Sequence, residues 1–257
     1  MAARSETTFA DHLAMALDPA AFAAACGLEQ LDPYQRELLL DPDHDTIALC
    51  GRQVGKTATA ATAALAKSLY QPGSLTLICS AGARQAQEVL GRMVSMYRRI
   101  GSPVVAIGEN ASSLTLENQS RVISLPSTAA TVRGYTPSFI ICDEAAQCDD
   151  ALYQALRPMQ IVSGATMWLL STPFGKRGFF YEQWTAGTDR WRRIKVTSEQ
   201  CPRIDREWLE AERRTSLWFD AEMLCEFTET SAERVFSDAE LDALFREGVE
   251  SWNVIDR

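Results

Sequence analysis

The sequence predicts an α/β fold, with a central, mostly parallel sheet flanked by helices and a small helical lid at the C-terminal end. Three observations predict it. From Thr46 onward, apolar strand-like runs alternate with helix-like ones. The segment Gly51-Arg52-Gln53-Val54-Gly55-Lys56-Thr57 lies between the first such strand and the first such helix. A later apolar run, Phe139–Cys142, ends directly in Asp143-Glu144.

Before Thr46 the chain is Ala-rich and helical in pattern, and Asp18-Pro19 and Asp32-Pro33 each offer an Asp N-cap with Pro at the first helical position. Two short helices are therefore expected within residues 1–45. A core over 46–198 follows: strand Thr46–Cys50, helix Lys56–Tyr70, strand Leu75–Ser80, helix Ala83–Ile100, and strands Phe139–Cys142 and Met167–Ser171. Leu114–Leu116 and Val122–Leu125 flank Glu117-Asn118-Gln119-Ser120, which reads as a hairpin. After Thr197 the strand signals stop. Asp205–Phe227 and Asp238–Phe245 read as acidic amphipathic helices, so 199–257 is expected to be a helical lid and linker.

Composition limits the function classes. With 46% hydrophobic and 23% charged residues, the chain is neither disordered nor collagen-like. No apolar run approaches the roughly 18 residues of a membrane span, and no signal-type apolar core follows the N-terminus, so a cytoplasmic protein without membrane contact is expected. Seven cysteines without a CxxC pair read as reduced, buried thiols. Only His12 and His44 are present, which leaves almost nothing for a His-based triad or a zinc site. The net charge of −9 is uneven: residues 1–198 hold 18 basic and 18 acidic side chains, and 199–257 hold 7 and 16. Within the neutral part, Lys176, Arg177, Arg190, Arg192 and Arg193 form a locally basic stretch and are the candidate DNA-contacting residues. Trp184 and Trp191 interleave there, as buried aromatics or as base-stacking groups.

The residue types in the glycine loop suit a phosphate chain. Glycines let backbone N–H groups curl around phosphate at a helix N-terminus, Lys56 reaches the β- and γ-phosphates, and the Thr57 hydroxyl holds Mg²⁺. Gly51, Arg52, Gln53, Val54, Gly55, Lys56 and Thr57 are thus candidate ATP-binding residues of a Walker A loop. The usual spacing puts its first glycine at position 50, where this chain has Cys50, so the loop is a variant. In a Walker B position, Asp143 serves the metal through its water shell while Glu144 orients and deprotonates the attacking water. Gln35 is placed either to read adenine N6 and N7 or as an ordinary surface-helix glutamine. Ser171-Thr172-Pro173 closes a strand where it can sense the γ-phosphate, or is a common turn.

Taken in order, Tyr34-Gln35, the Gly51–Thr57 loop, Arg133-Gly134, Asp143-Glu144-Ala145-Ala146 and Ser171-Thr172-Pro173 with Gly175 resemble the ATPase domain of phage large terminase subunits, over roughly Leu31–Phe236. The resemblance implies an ASCE-type P-loop NTPase fold, with ATP and Mg²⁺ as cofactors, whose hydrolysis drives double-stranded DNA into a procapsid in the host cytoplasm. It further implies that Gln35 reads adenine, Lys56 and Arg52 act on the phosphates, Thr57 and Asp143 hold metal, Glu144 is the base, and Ser171, Thr172 and Pro173 couple phosphate loss to lid motion. A trans arginine from a neighbouring protomer is implied too; Arg121 and Arg133 are candidates, each equally readable as a surface ion-pair residue. The implied partners are DNA, a portal protein, a small terminase subunit and copies of the chain itself, monomeric in isolation and a ring when assembled. Such subunits continue into a nuclease domain, for which no residues are expected before Arg257. A helicase-like DNA-dependent ATPase and a non-hydrolysing ATP-binding assembly module are the alternative readings.

Overall fold

The computed structural model describes residues 8–126 and 129–229. Three helices open the chain: α1 (Phe9–Leu17), α2 (Pro19–Ala25) and α3 (Pro33–Leu40). Asp18 accepts from the Ala20 N–H and Asp32 forms a capping box with Gln35, so both Asp-Pro starts mark real helix N-termini. Next come β1 (Thr46–Cys50), α4 (Lys56–Tyr70), β2 (Leu75–Ser80), α5 (Ala83–Arg99), β3 (Ala106–Asn110), β4 (Ser113–Leu116) and β5 (Arg121–Pro126). The second half holds α6 (Ala129–Val132), β6 (Phe139–Asp143), α7 (Asp150–Ser163), β7 (Thr166–Ser171), α8 (Gly178–Thr185), β8 (Arg192–Val196), α9 (Arg206–Thr215) and α10 (Phe219–Glu222).

The eight strands form one sheet in the order β3-β4-β5-β2-β6-β7-β1-β8. From β5 to β8 every pairing is parallel, and β3 and β4 add an antiparallel margin. Side-chain alternation divides the central strands between two cores. Ala48, Phe139, Ile141, Trp168 and Leu170 pack with α2 to α5, while Ile47, Leu49, Ile140, Met167 and Leu169 pack with α7 and α8. Near-continuous apolar runs in β1, β6 and β7 follow from burial on both faces. All seven cysteines are buried and free. Among the described residues no helix is long and apolar enough to cross a membrane.

The predicted hairpin forms between β4 and β5, antiparallel with Leu114 opposite Val122. The sequence reading passes over β3, α6, α7, α8 and β8, and expects two opening helices where three form. In β8, Arg192, Arg193 and Lys195 obscure a one-sided strand whose Ile194 and Val196 face inward; as an edge strand it carries charge on its outer side. It extends the sheet beyond β1, with Thr46 beside Arg192 and Cys50 beside Val196. The stretch expected as helix over Asp205–Phe227 divides into α9 and α10, which hold a separate small core of Leu209, Phe219 and Met223. The helix expected over Asp238–Phe245 lies outside the described residues.

Candidate nucleotide site at the sheet edge

Parallel strands deliver their C-terminal ends to one edge, and at β1, β6 and β7 that edge carries the predicted residues. Lys56 opens α4 and its ammonium lies 2.6 Å from Glu144 Oε1. Thr57 Oγ1 donates to Asp143 Oδ2 at 3.0 Å. Ser171 Oγ accepts from the Ala146 N–H at 3.1 Å and lies 3.5 Å from Glu144 Oε2. Glu144 takes left-handed backbone geometry, φ +54°, which turns it out of the strand and into the 3-10 turn Ala145–Gln147.

Burial sets the electrostatics of this group. It raises the Asp143 carboxyl above the usual range, and Lys56 opposes that rise. At Lys56 burial pulls the ammonium down, but Glu144 and Asp143 more than reverse it, so Lys56 stays charged. The edge opens into a cavity of about 910 Å³ whose lining includes Gln35, Arg52, Lys56, Thr57, Glu144 and Arg203. That volume lies in the range of ligand sites, about 300–1,000 Å³.

The two glycines of the loop have different reasons. Gly55 needs φ +98°, a conformation that disfavours any side chain. Gly51 is required by close packing instead: a Cβ there would meet Ser198 Oγ at 2.5 Å, Ser198 N at 2.7 Å and the Met223 carbonyl at 2.9 Å. Gly51→Ala is therefore expected to destabilise the fold by about 1–3 kcal/mol through overpacking; a denaturant midpoint equal to the parent's would contradict this. Cys50, in the position of the usual first glycine, is fully buried in the core.

Other predicted residues are placed less simply. Gln35 is 2% exposed, and both ends of its amide are engaged: Oε1 accepts from Asp32 N at 3.0 Å and Nε2 donates to Thr59 Oγ1 at 3.0 Å. It lines the cavity as a buried bridge between α3 and α4, so the surface-helix alternative is excluded. Arg52 also lines the cavity, but its guanidinium holds Glu222 Oε1 of α10 at 2.7 Å. Thr172 and Pro173 line a second, small cavity with Arg52, Trp218 and Glu222. Arg121 begins β5 beside Leu75, at the sheet end opposite the loop. Arg133 is exposed just after α6.

The five basic residues expected as a DNA-contacting stretch are each engaged by partners in different parts of the chain. Arg190 pairs with Asp45 at 3.1 Å, and Arg192 reaches Asp41 at 3.3 Å and Thr46 Oγ1 at 3.1 Å, both at the sheet end opposite the loop. Arg193 donates to the carbonyls of Gln183, Trp184 and Gly187. Lys176 pairs with Glu229, and Arg177 lies over the Phe174 ring. The acidic partners of Arg190 and Arg192, in the 41–45 turn, are about 150 residues upstream, so a local charge count misses that neutralisation. Trp191 is buried and Trp184 packs on the second core.

Three residues escaped the sequence reading altogether. Ser198 Oγ donates to the Arg52 carbonyl at 2.8 Å, the Glu222 carbonyl accepts from the Arg52 N–H at 2.7 Å, and Arg203 Nη2 donates to the Val54 carbonyl at 2.7 Å. All come from the segment after β8, whose sequence shows acidic amphipathic helices and nothing that ties it to the loop.

Comparison with known proteins agrees with this geometry. The family described as terminase large subunit, T4likevirus-type, N-terminal, matches residues 47–243. The large terminase subunits of Thermus phage G20c and Thermus virus P23-45 are each 28% identical over 166 residues, covering 57% of this chain and 33% of the relative. The chain thus spans about a third of the length of those relatives. The large terminase ATPase domain of Thermus phage P74-26 superposes with a TM-score of 0.72 at 20% identity, covering 88% of this chain and 100% of that one. The large terminase of bacteriophage D6E, in complex with ATP-gamma-S, superposes at 0.63 and 14% identity over 77% of this chain and 53% of that one. These likenesses show a shared fold, and the family match over most of the chain shows the kinship: the chain belongs to the large terminase subunits, in the N-terminal part of the T4likevirus type.

Proposed function

We propose that this chain is the ATP-hydrolysing motor part of a viral packaging machine, coupling hydrolysis to movement of double-stranded DNA into a procapsid in the host cytoplasm. The observation that carries the reading is the meeting of Lys56, Thr57, Asp143 and Glu144 at one sheet edge beside a cavity of nucleotide size. Relatives named as large terminases, and structures named as their ATPase domains or as complexes with ATP-gamma-S and ADP, support it.

The residues fit Mg²⁺. Among the described residues no cluster of three or more His, Cys, Asp or Glu side chains can hold a metal unaided. Mg²⁺ rarely asks for one, since it is usually bound by one or two carboxylates together with substrate phosphates and water. Thr57 Oγ1 and Asp143 are the oxygen donors that would hold it. When bound, the ion neutralises charge developing on the phosphate oxygens. The chain's own groups do the rest. The first N–H groups of α4 have no partner within the helix and face an anion at its N-terminus. Lys56 leaves Glu144 for the phosphates, and the freed Glu144 carboxylate takes the proton of the attacking water. Ser171 holds the turn that carries Glu144, while Thr172 and Pro173 connect that turn to Arg52 and Glu222. DNA, a portal protein, a small terminase subunit and neighbouring copies are the partners this reading requires.

Steady-state ATPase measured with and without double-stranded DNA tests the reading; a chain that binds ATP and never turns it over on DNA would instead be an assembly module. Lys56→Ala is expected to weaken nucleotide binding about a hundredfold or more, because it removes the charge that meets the phosphates and leaves Glu144 without its partner. Titration with a fluorescent ATP analogue checks this, and wild-type affinity in that variant would remove Lys56 from the site.

A further inference from the structure

The carbonyl of Val54, in the middle of the glycine loop, accepts two hydrogen bonds from outside the loop. Tyr34 Oη donates at 2.8 Å and Arg203 Nη2 at 2.7 Å. The same guanidinium grips Asp32, with Nη1 3.0 Å from Oδ1 and Nη2 2.9 Å from Oδ2. Asp32 is only 6% exposed, so this two-pronged pairing fixes the arginine in place.

In a planar trans peptide the carbonyl and the following N–H point in opposite directions. Pinning the Val54 oxygen therefore sets the direction of the Gly55 N–H, away from Tyr34 and Arg203. The loop needs such pinning because Gln53 and Gly55, on either side, both hold positive φ, at +63° and +98°. Arg203 also limits the space at Gly55: a Cβ there would lie 3.3 Å from its Nη2 and 3.0 Å from Gln35 Nε2.

Resting on the nucleotide reading above, we propose that Arg203 is a positioning residue for the phosphate site. By holding the Val54 carbonyl it keeps the Gly55 N–H presented to a bound phosphate, so that the donor is in place before the ligand arrives. Because Arg203 lies on the segment that also carries Ser198 and Glu222, that segment grips the loop near its start, at Arg52, and in its middle, at Val54.

ADP affinity and the ATPase parameters of six chains test this: wild type, Arg203→Gln, Arg203→Lys, Tyr34→Phe, the Arg203→Gln/Tyr34→Phe double variant and Lys56→Ala. Arg203→Gln is expected to weaken ADP binding and raise KM about tenfold, the size of a lost charged hydrogen bond, with kcat changed less than about twofold. Arg203→Lys should recover part of the loss, since one ammonium cannot serve Val54 and both Asp32 oxygens. Combining Arg203→Gln with Tyr34→Phe should cost more than the product of the single effects, because only then is the carbonyl free. Wild-type ADP affinity and KM in Arg203→Gln overturn the proposal, as does a double variant that loses no more than Arg203→Gln alone. If Arg203→Gln does not fold, Arg203→Lys decides, with raised KM and unchanged kcat in support and both unchanged against. Wild type binding ADP while Lys56→Ala does not keeps the nucleotide reading standing whatever Arg203 does; a wild type that binds no ADP overturns both.

Discussion

Glu144→Gln is expected to keep nucleotide binding and lose ATP turnover by about two to four orders of magnitude, the usual contribution of a positioned general base. The amide keeps the size of the carboxylate and can still meet Lys56 and Ser171, but it cannot take a proton from water. Binding should hold or improve, because the Lys56 ammonium, now 2.6 Å from a carboxylate oxygen, no longer leaves an ion pair to reach the phosphates. Single-turnover hydrolysis beside equilibrium binding separates the two effects. Hydrolysis at the parent rate would remove Glu144 from the role of base, and loss of binding would mean that its place is structural.

The second large effect is expected from assembly. The isolated chain should be monomeric and slow, and should gain about three to five orders of magnitude in turnover when a neighbour supplies an arginine. The cavity's own basic side chains are Arg52, Lys56, Arg92 and Arg203, and three of them are already paired with Glu222, Glu144 and Asp32. With Arg52 held by α10, the charge that builds during hydrolysis lacks a free arginine on the loop itself. Arg133, exposed after α6, and Arg121, exposed at the start of β5, are the two candidates for delivery in trans. Sedimentation across a concentration series, run beside specific activity, checks this. Activity per chain that does not change with concentration, or a stable ring at low concentration, contradicts it. Arg133→Ala mixed with Glu144→Gln should restore activity at mixed interfaces if Arg133 acts on its neighbour.

Much of this protein was legible because the relevant physics is local. Strand Thr46–Cys50, helix Lys56–Tyr70 and the Asp-Pro helix starts at Asp18 and Asp32 were readable from patterns within a few residues, where apolar periodicity and capping chemistry act. The parallel sheet follows from alternating strands and helices, and a parallel sheet brings strand ends to one edge, so Lys56 and Asp143-Glu144 were expected on the same edge across 87 positions of sequence, while the strand order β6-β7-β1 is what makes them neighbours. What only the tertiary structure decided are contacts between side chains far apart in the chain. Arg192 and Arg190 look like a cationic surface until the fold sets them against Asp41 and Asp45. Gly51 gives no sign in the sequence of the close packing that Ser198 and Met223 bring against it. Arg52 has no visible partner in the sequence, and the fold sets Glu222 against it. No local pattern announces such pairs, because a charge or a close contact is satisfied by whatever the fold brings near it, and the bond's chemistry carries no record of how much chain lies between its partners.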